Sequence, residues 1–159
     1  MKALVVLALV ALATAGCGGG SGGGTTATGT TTDQESGSRS EFVAVADTIC
    51  RNHQSRREDL ESQARDLGPI TSKAKARRIA ALLRKESRNR RAEARELEAL
   101  QAPPPGATAV LVPIRAEANL IERWARAYHE LDSAAIRNLQ IRLGLLTAKA
   151  AKTARSDGL

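Results

Sequence analysis

Aromatic side chains make up 2% of this 159-residue chain, which holds one Trp, one Tyr and one Phe. So few rings exclude a core built on aromatic stacking. They also exclude a platform on which successive nucleic-acid bases stack. Cysteine and histidine number two each. A structural zinc asks for four ligands and a catalytic one for at least three. Cys50 and His53 form a C-x-x-H on one helix, and His129 is the only further histidine. A hairpin arrangement of the helices puts it at the opposite pole, so no metal site and no cofactor is expected. The chain has no H-E-x-x-H and no G-x-x-x-x-G-K-[ST] motif, so zinc-hydrolytic and phosphate-loop chemistry lack their residues. An enzyme is not expected. Long hydrophobic runs are missing too. The longest, residues 3–13, falls well short of the roughly 20 residues that span a bilayer.

That run nevertheless has an address. Lys2 precedes it, and small residues and glycine follow it, the layout of a secretory signal peptide. It ends in Thr14-Ala15-Gly16-Cys17, which resembles the lipobox of bacterial lipoproteins. The match covers only the first 17 residues, and Thr14 stands where leucine is commoner. The resemblance implies cleavage before Cys17, a diacylglycerol on its thiol and an acyl group on the new amine. Two or three such chains anchor far more firmly than one, at about 0.8 kcal/mol per buried CH2. The expected location is therefore the extracytoplasmic face of a cell membrane, with the membrane itself as the first partner. Residues 1–16 then form the signal peptide, and residues 17–40 the lipidated cysteine and a linker.

The linker reads GGGSGGGTTATGTTTDQESGSRS after Cys17. Nothing in it builds a core, and Gly/Ser-rich chain behaves as a flexible coil. Its length would hold a domain roughly 25–30 Å from the anchor.

Composition then shifts to alanine, leucine, arginine and glutamate, all strong helix formers, and residues 41–156 read as one helical domain. Phe42, Ala46, Ile49, His53, Arg56, Leu60, Gln63 and Leu67 recur at helical spacing. Gly68-Pro69 breaks this first helix, and Thr71 is placed to cap a second through Ala76, Ile79, Leu83, Ala94, Leu97 and Leu100. Pro103-Pro104-Pro105-Gly106 ends that one. A third helix carries Val110, Ile114, Ala118, Ile121, Trp124, Ala125, Tyr128 and Leu131. Its start falls at Ala109 or at Pro113. Asp132 or Ser133 caps a fourth, with Ile136, Leu139, Leu143, Leu146 and Ala150 on its apolar stripe. Four amphipathic helices with short breaks imply an all-α, antiparallel up-down four-helix bundle. A long kinked helical hairpin is the alternative.

Three features invite a functional reading. The first is a polar layer. His53 interrupts the apolar face of the first helix, while Glu86, Arg90 and Glu93 interrupt that of the second. A symmetric hairpin sets His53 opposite Glu86. Buried charges are tolerated when paired and hydrogen-bonded, so a register-fixing ion-pair layer is the plainer reading and a polar ligand pocket the sharper one. The pairs formed by Arg90, Arg91 and Arg95 with Glu93, Glu96 and Glu98 otherwise suit a solvated helix surface.

The second feature is a basic stripe. Over residues 73–91 nine Lys and Arg face one acid, Glu86. Lys73, Arg77, Arg84, Arg88, Arg91 and Arg95 share the face opposite Ile79, Leu83 and Leu97. Such a stripe draws a tethered domain toward anionic headgroups or an acidic polymer. Nucleic acid is not expected, given the export signal and the lack of aromatics. The third feature is Cys50, the one cysteine beyond the lipid site. It reads either as an inert buried thiol or as the link of a disulfide dimer. The expected function is a non-catalytic interaction module at the cell envelope, meeting an envelope protein or acidic polymer. Polyanion or headgroup binding by the basic helix is one alternative, and small-ligand sensing in the polar layer is the other.

Overall fold

The computed structural model describes residues 33–100 and 107–156, with side chains at 41–100, 111–150 and 152. The expected signal peptide, Cys17, most of the expected linker and the Pro103-Pro104-Pro105-Gly106 stretch lie outside the described residues. Four helices make up the fold: α1 (Asp33–Asp66), α2 (Lys73–Glu98), α3 (Ala107–Glu130) and α4 (Ser133–Ser156). Successive helices pack on one another, α1 on α2, α2 on α3 and α3 on α4. The result is an all-α, up-down four-helix bundle, with no strand among the described residues. No close backbone approach joins α1 to α4 among them.

Local chemistry sets the ends. Gly68 takes φ +61 and its N–H donates to the Arg65 carbonyl at 2.9 Å, which turns the chain out of α1. A Cβ there would meet no atom within 4 Å, so only the left-handed backbone calls for glycine. Ser72, rather than Thr71, caps α2: its φ/ψ is extended and its Oγ accepts from Lys75 N at 3.2 Å. Asp132 settles the open choice for α4, accepting from Ala134 N at 3.1 Å and Ala135 N at 2.9 Å. A carboxylate there meets two of the N–H groups that a helix start leaves over.

The end of α3 is less ordinary. Leu131 carries φ 61, the only positive φ on a residue other than glycine among those described. Leu131 N donates to Tyr128 O and Asp132 N to Ala127 O at 3.0 Å, a Schellman closure built on leucine in place of glycine.

Three expectations need correction. Helix α1 begins at Asp33 rather than Glu41, so residues 33–40 of the expected linker are helical. Elongation costs little once a packed helix has nucleated, and no proline stands in the way before Asp66. Helix α3 begins at Ala107, before both starts considered, and Pro113 lies inside it. Proline lacks the N–H that would reach the Ala109 carbonyl, a loss confined to the second turn. On α1, Arg56 and Gln63 face solvent while Arg57 and Ala64 are buried. The buried face follows 53, 57, 60, 64 and 67, the same alternation of four and three residues as read from the sequence but in the opposite order, so His53, Leu60 and Leu67 keep their places while Arg57 and Ala64 replace Arg56 and Gln63.

Burial sorts into two apolar clusters. One, near the α1–α2 and α3–α4 turns, joins Ala64, Ile79, Ala80, Leu83, Ile121, Trp124, Ala125, Ala127, Tyr128, Leu139 and Leu143. Trp124 and Tyr128 lie with ring centroids 5.7 Å apart and tilted by 47°. The other joins Ala94, Leu97 and Ile114, with Ala46, Ile49, Cys50, Leu100 and Leu111 half-buried against them. The second cluster draws on α1, α2 with Leu100 just past its end, and α3, and on no described residue of α4.

Candidate functional site

A belt of buried polar side chains separates the two clusters: His53 and Arg57 from α1, Glu86, Ser87, Asn89, Arg90 and Glu93 from α2, and Glu117 from α3. Helical spacing puts them there. Glu86, Arg90 and Glu93 continue the buried ridge of Ile79 and Leu83, and Glu117 lies one turn from both Ile114 and Ile121 on α3.

Arg90 is the hub. Its guanidinium reaches Glu117 Oε2 at 2.7 Å, Glu93 Oε2 at 2.8 Å and Glu86 Oε1 at 3.7 Å. Burial works to lower its pKa. Glu117 first, then Glu93 and Glu86 outweigh that and leave it above its ordinary value. The third acid fares worse. Both Glu86 carboxylate oxygens are buried without a hydrogen-bond partner among the described residues. Burial pushes this carboxyl above the usual carboxylate range, against the pull of Arg90 and then Arg57, while Glu117 and Glu93 add to the rise.

His53 is fully buried and held by Asn89. Asn89 Nδ2 donates to the His53 carbonyl at 3.0 Å, which turns Oδ1 to the ring, 2.7 Å from Nδ1. An amide oxygen accepts only, so Nδ1 carries the proton. Nε2 lies 3.1 Å from Glu96 Oε1 but lacks hydrogen-bond alignment. Ser87 Oγ donates to the Ala118 carbonyl at 2.9 Å and ties α2 to α3.

The structure thus brings Glu86 and Arg90 together and sets His53 one turn away, against Asn89 and not opposite Glu86. Side chains lean toward the N-terminus of their own helix, so each covers a spot about one residue back. In an antiparallel pair both leans act in the same sense and move the meeting positions away from the turn. Asn89 and Glu117 were missed in the sequence, although each interrupts an apolar face at helical spacing. Arg90 and Glu93 are a buried pair, not a solvated one; Glu93 is 3% exposed. Glu96 and Glu98 do lie nearer the surface, the latter paired with Arg115 of α3.

The basic stripe lies outside this belt. Lys73, Arg77, Arg88, Arg91 and Arg95 are exposed and Arg84 is half-buried. Two of the six tie α2 to α3: Arg84 Nε lies 4.0 Å from Glu122 Oε1, and Arg91 donates to Asn119 Oδ1 at 3.5 Å. Lys73, Arg77, Arg88 and Arg95 have no ion pair among the described residues. Three acids, Glu86, Glu93 and Glu117, are buried, while these four cations stay in water. Cys50 is half-buried against the second cluster and His129 is exposed at the end of α3. Among the described residues no group of three or more His, Cys, Asp and Glu is placed to hold a metal ion, and no helix is long and apolar enough to cross a membrane. No family model, curated protein or solved structure matches the chain.

Proposed function

We propose that this chain is a non-catalytic interaction module, held at the extracytoplasmic face of a cell membrane by lipid on Cys17. It meets an acidic polymer or an anionic surface through the outer ridge of α2. The observation that carries the reading is the sorting of charge. Glu86, Glu93 and Glu117 are spent inside on Arg90, while Lys73, Arg77, Arg88 and Arg95 point outward. The outer ridge of α2 is therefore strongly basic: over residues 73–91 nine Lys and Arg face one acid, and that acid, Glu86, is buried. Such a field attracts polyanions over about 8 Å at physiological salt and fades as salt rises.

The anchor and the ridge are tested separately. Intact mass of the membrane-extracted chain reads cleavage before Cys17 and the acyl chains together, and an unmodified N-terminus would remove the anchor from the proposal. For the ridge, the detergent-solubilised chain is passed over immobilised polyphosphate. Lys73→Gln with Arg77→Gln, Arg88→Gln and Arg95→Gln leaves the α2–α3 ties intact. It should elute at clearly lower salt than the parent; unchanged elution would sink the ridge as a docking face.

A further inference from the structure

Helix α4 differs from the other three. From Ser133 to Ser156 it contains no Asp or Glu, and it carries Arg137, Arg142, Lys149, Lys152 and Arg155. Its inward stripe, Leu139 and Leu143, is spent on the first cluster. On the outward side Ile141 is 64% exposed and Leu145 66%, the two most exposed large apolar side chains among the described residues. They stand one turn apart on the same ridge, and Ala148 continues it. Arg137, Arg142, Lys149 and Lys152 are all exposed around them. Helix α4 makes close backbone contact with α3 alone among the described elements, so this ridge has no cover within the bundle.

We propose that the outer ridge of α4 lies in the headgroup region of an anionic bilayer, with Ile141 and Leu145 dipped toward the acyl boundary. The inference rests on the reading of the chain as membrane-held, and it concerns a helix that reading does not use. Charge complementarity selects the occupant. A second copy would set the same acid-free cationic face against itself. A protein interface needs a broad contact with central anchors, for which aromatic side chains are favoured, and the ridge has no aromatic residue. A headgroup layer asks only for a few aliphatic side chains flanked by Lys and Arg whose stems lie along the boundary while their charges reach phosphate.

The test uses the chain as isolated with its anchor, carrying Leu145→Trp and reconstituted into vesicles of phosphatidylcholine with or without phosphatidylglycerol. The parent spectrum removes the contribution of Trp124. With phosphatidylglycerol, emission from position 145 should shift to the blue and be quenched by brominated acyl chains. In phosphatidylcholine alone it should stay water-like. Arg137→Gln with Arg142→Gln, Lys149→Gln and Lys152→Gln should abolish the shift, whereas the four α2 substitutions above should keep it. A water-like Trp at 145 on anionic vesicles would overturn the proposal. So would a shift that appears in detergent and grows with protein concentration, the mark of a second copy. If the membrane-held reading itself fails, the chain will not be recovered with the vesicles, a result distinct from an anchored chain whose α4 stays wet.

Discussion

Replacing Glu86 with glutamine should stabilise this protein at neutral pH. Glu86 is the third acid around one guanidinium. Arg90 already makes contacts of 2.7 and 2.8 Å with Glu117 and Glu93, and Glu86 stands off at 3.7 Å. Leaving a buried polar group unpartnered costs about 1–3 kcal/mol, and more for a charged one. Glutamine keeps the shape and removes the charge, and Arg90 retains both short pairs. The attraction lost to Arg90 and Arg57 offsets part of the gain. We therefore expect about 1 kcal/mol of added stability at pH 7, or about 4 °C in Tm for a domain of this size.

The pH dependence gives the sharper check. Burial raises the Glu86 pKa above its ordinary value, so the folded state binds this proton more tightly than the unfolded one. Its stabilising contribution is complete below the ordinary carboxylate pKa and is lost as pH rises through the raised one. The advantage of Glu86→Gln should therefore vanish near pH 4 and grow toward neutrality. Urea melts followed by far-ultraviolet circular dichroism at both pH values measure it, with an unchanged m-value confirming the same transition. A variant less stable than the parent at pH 7, or an offset independent of pH, would refute the argument that an under-satisfied carboxylate sits in the belt.

Two other substitutions probe separate elements by the same melts. Asn89→Ala removes the contacts at 2.7 and 3.0 Å that hold the buried His53 and strands its Nδ1, for an expected loss of about 2–4 kcal/mol. A loss under about 0.5 kcal/mol would mean that the belt tolerates an orphaned ring nitrogen there. Leu131→Gly relieves a left-handed backbone at a half-exposed site. It should add about 1 kcal/mol, provided the leucine side chain contributes little at the turn; a destabilised variant would show that it contributes more than the strain costs.

Much of this was legible residue by residue. Gly68-Pro69 and Asp132 announce their breaks because turn and cap chemistry act within a few residues. The 3.6-residue period names Ile79, Leu83, Ile121 and Leu139 as core and puts Lys73, Arg77, Arg88 and Arg95 on the opposite side of α2 from the core. Even the belt showed itself, as polar residues on otherwise apolar faces at His53, Glu86 and Arg90. Helix limits were less legible. The starts of α1 at Asp33 and α3 at Ala107 depend on how far a packed helix propagates, and Gly37 and Pro113 did not halt it.

Tertiary structure alone decided who meets whom. Helical periodicity tells which face a side chain takes and says nothing of how two faces slide past each other. The lean of side chains along each helix moved His53 from Glu86 to Asn89, and the approach of α3 delivered Glu117 to Arg90. That third helix turns Arg90 from a surface-type partner of Glu93 into the centre of a buried belt. It leaves Glu86 short of hydrogen bonds, because one guanidinium cannot serve three carboxylates equally at contact distance.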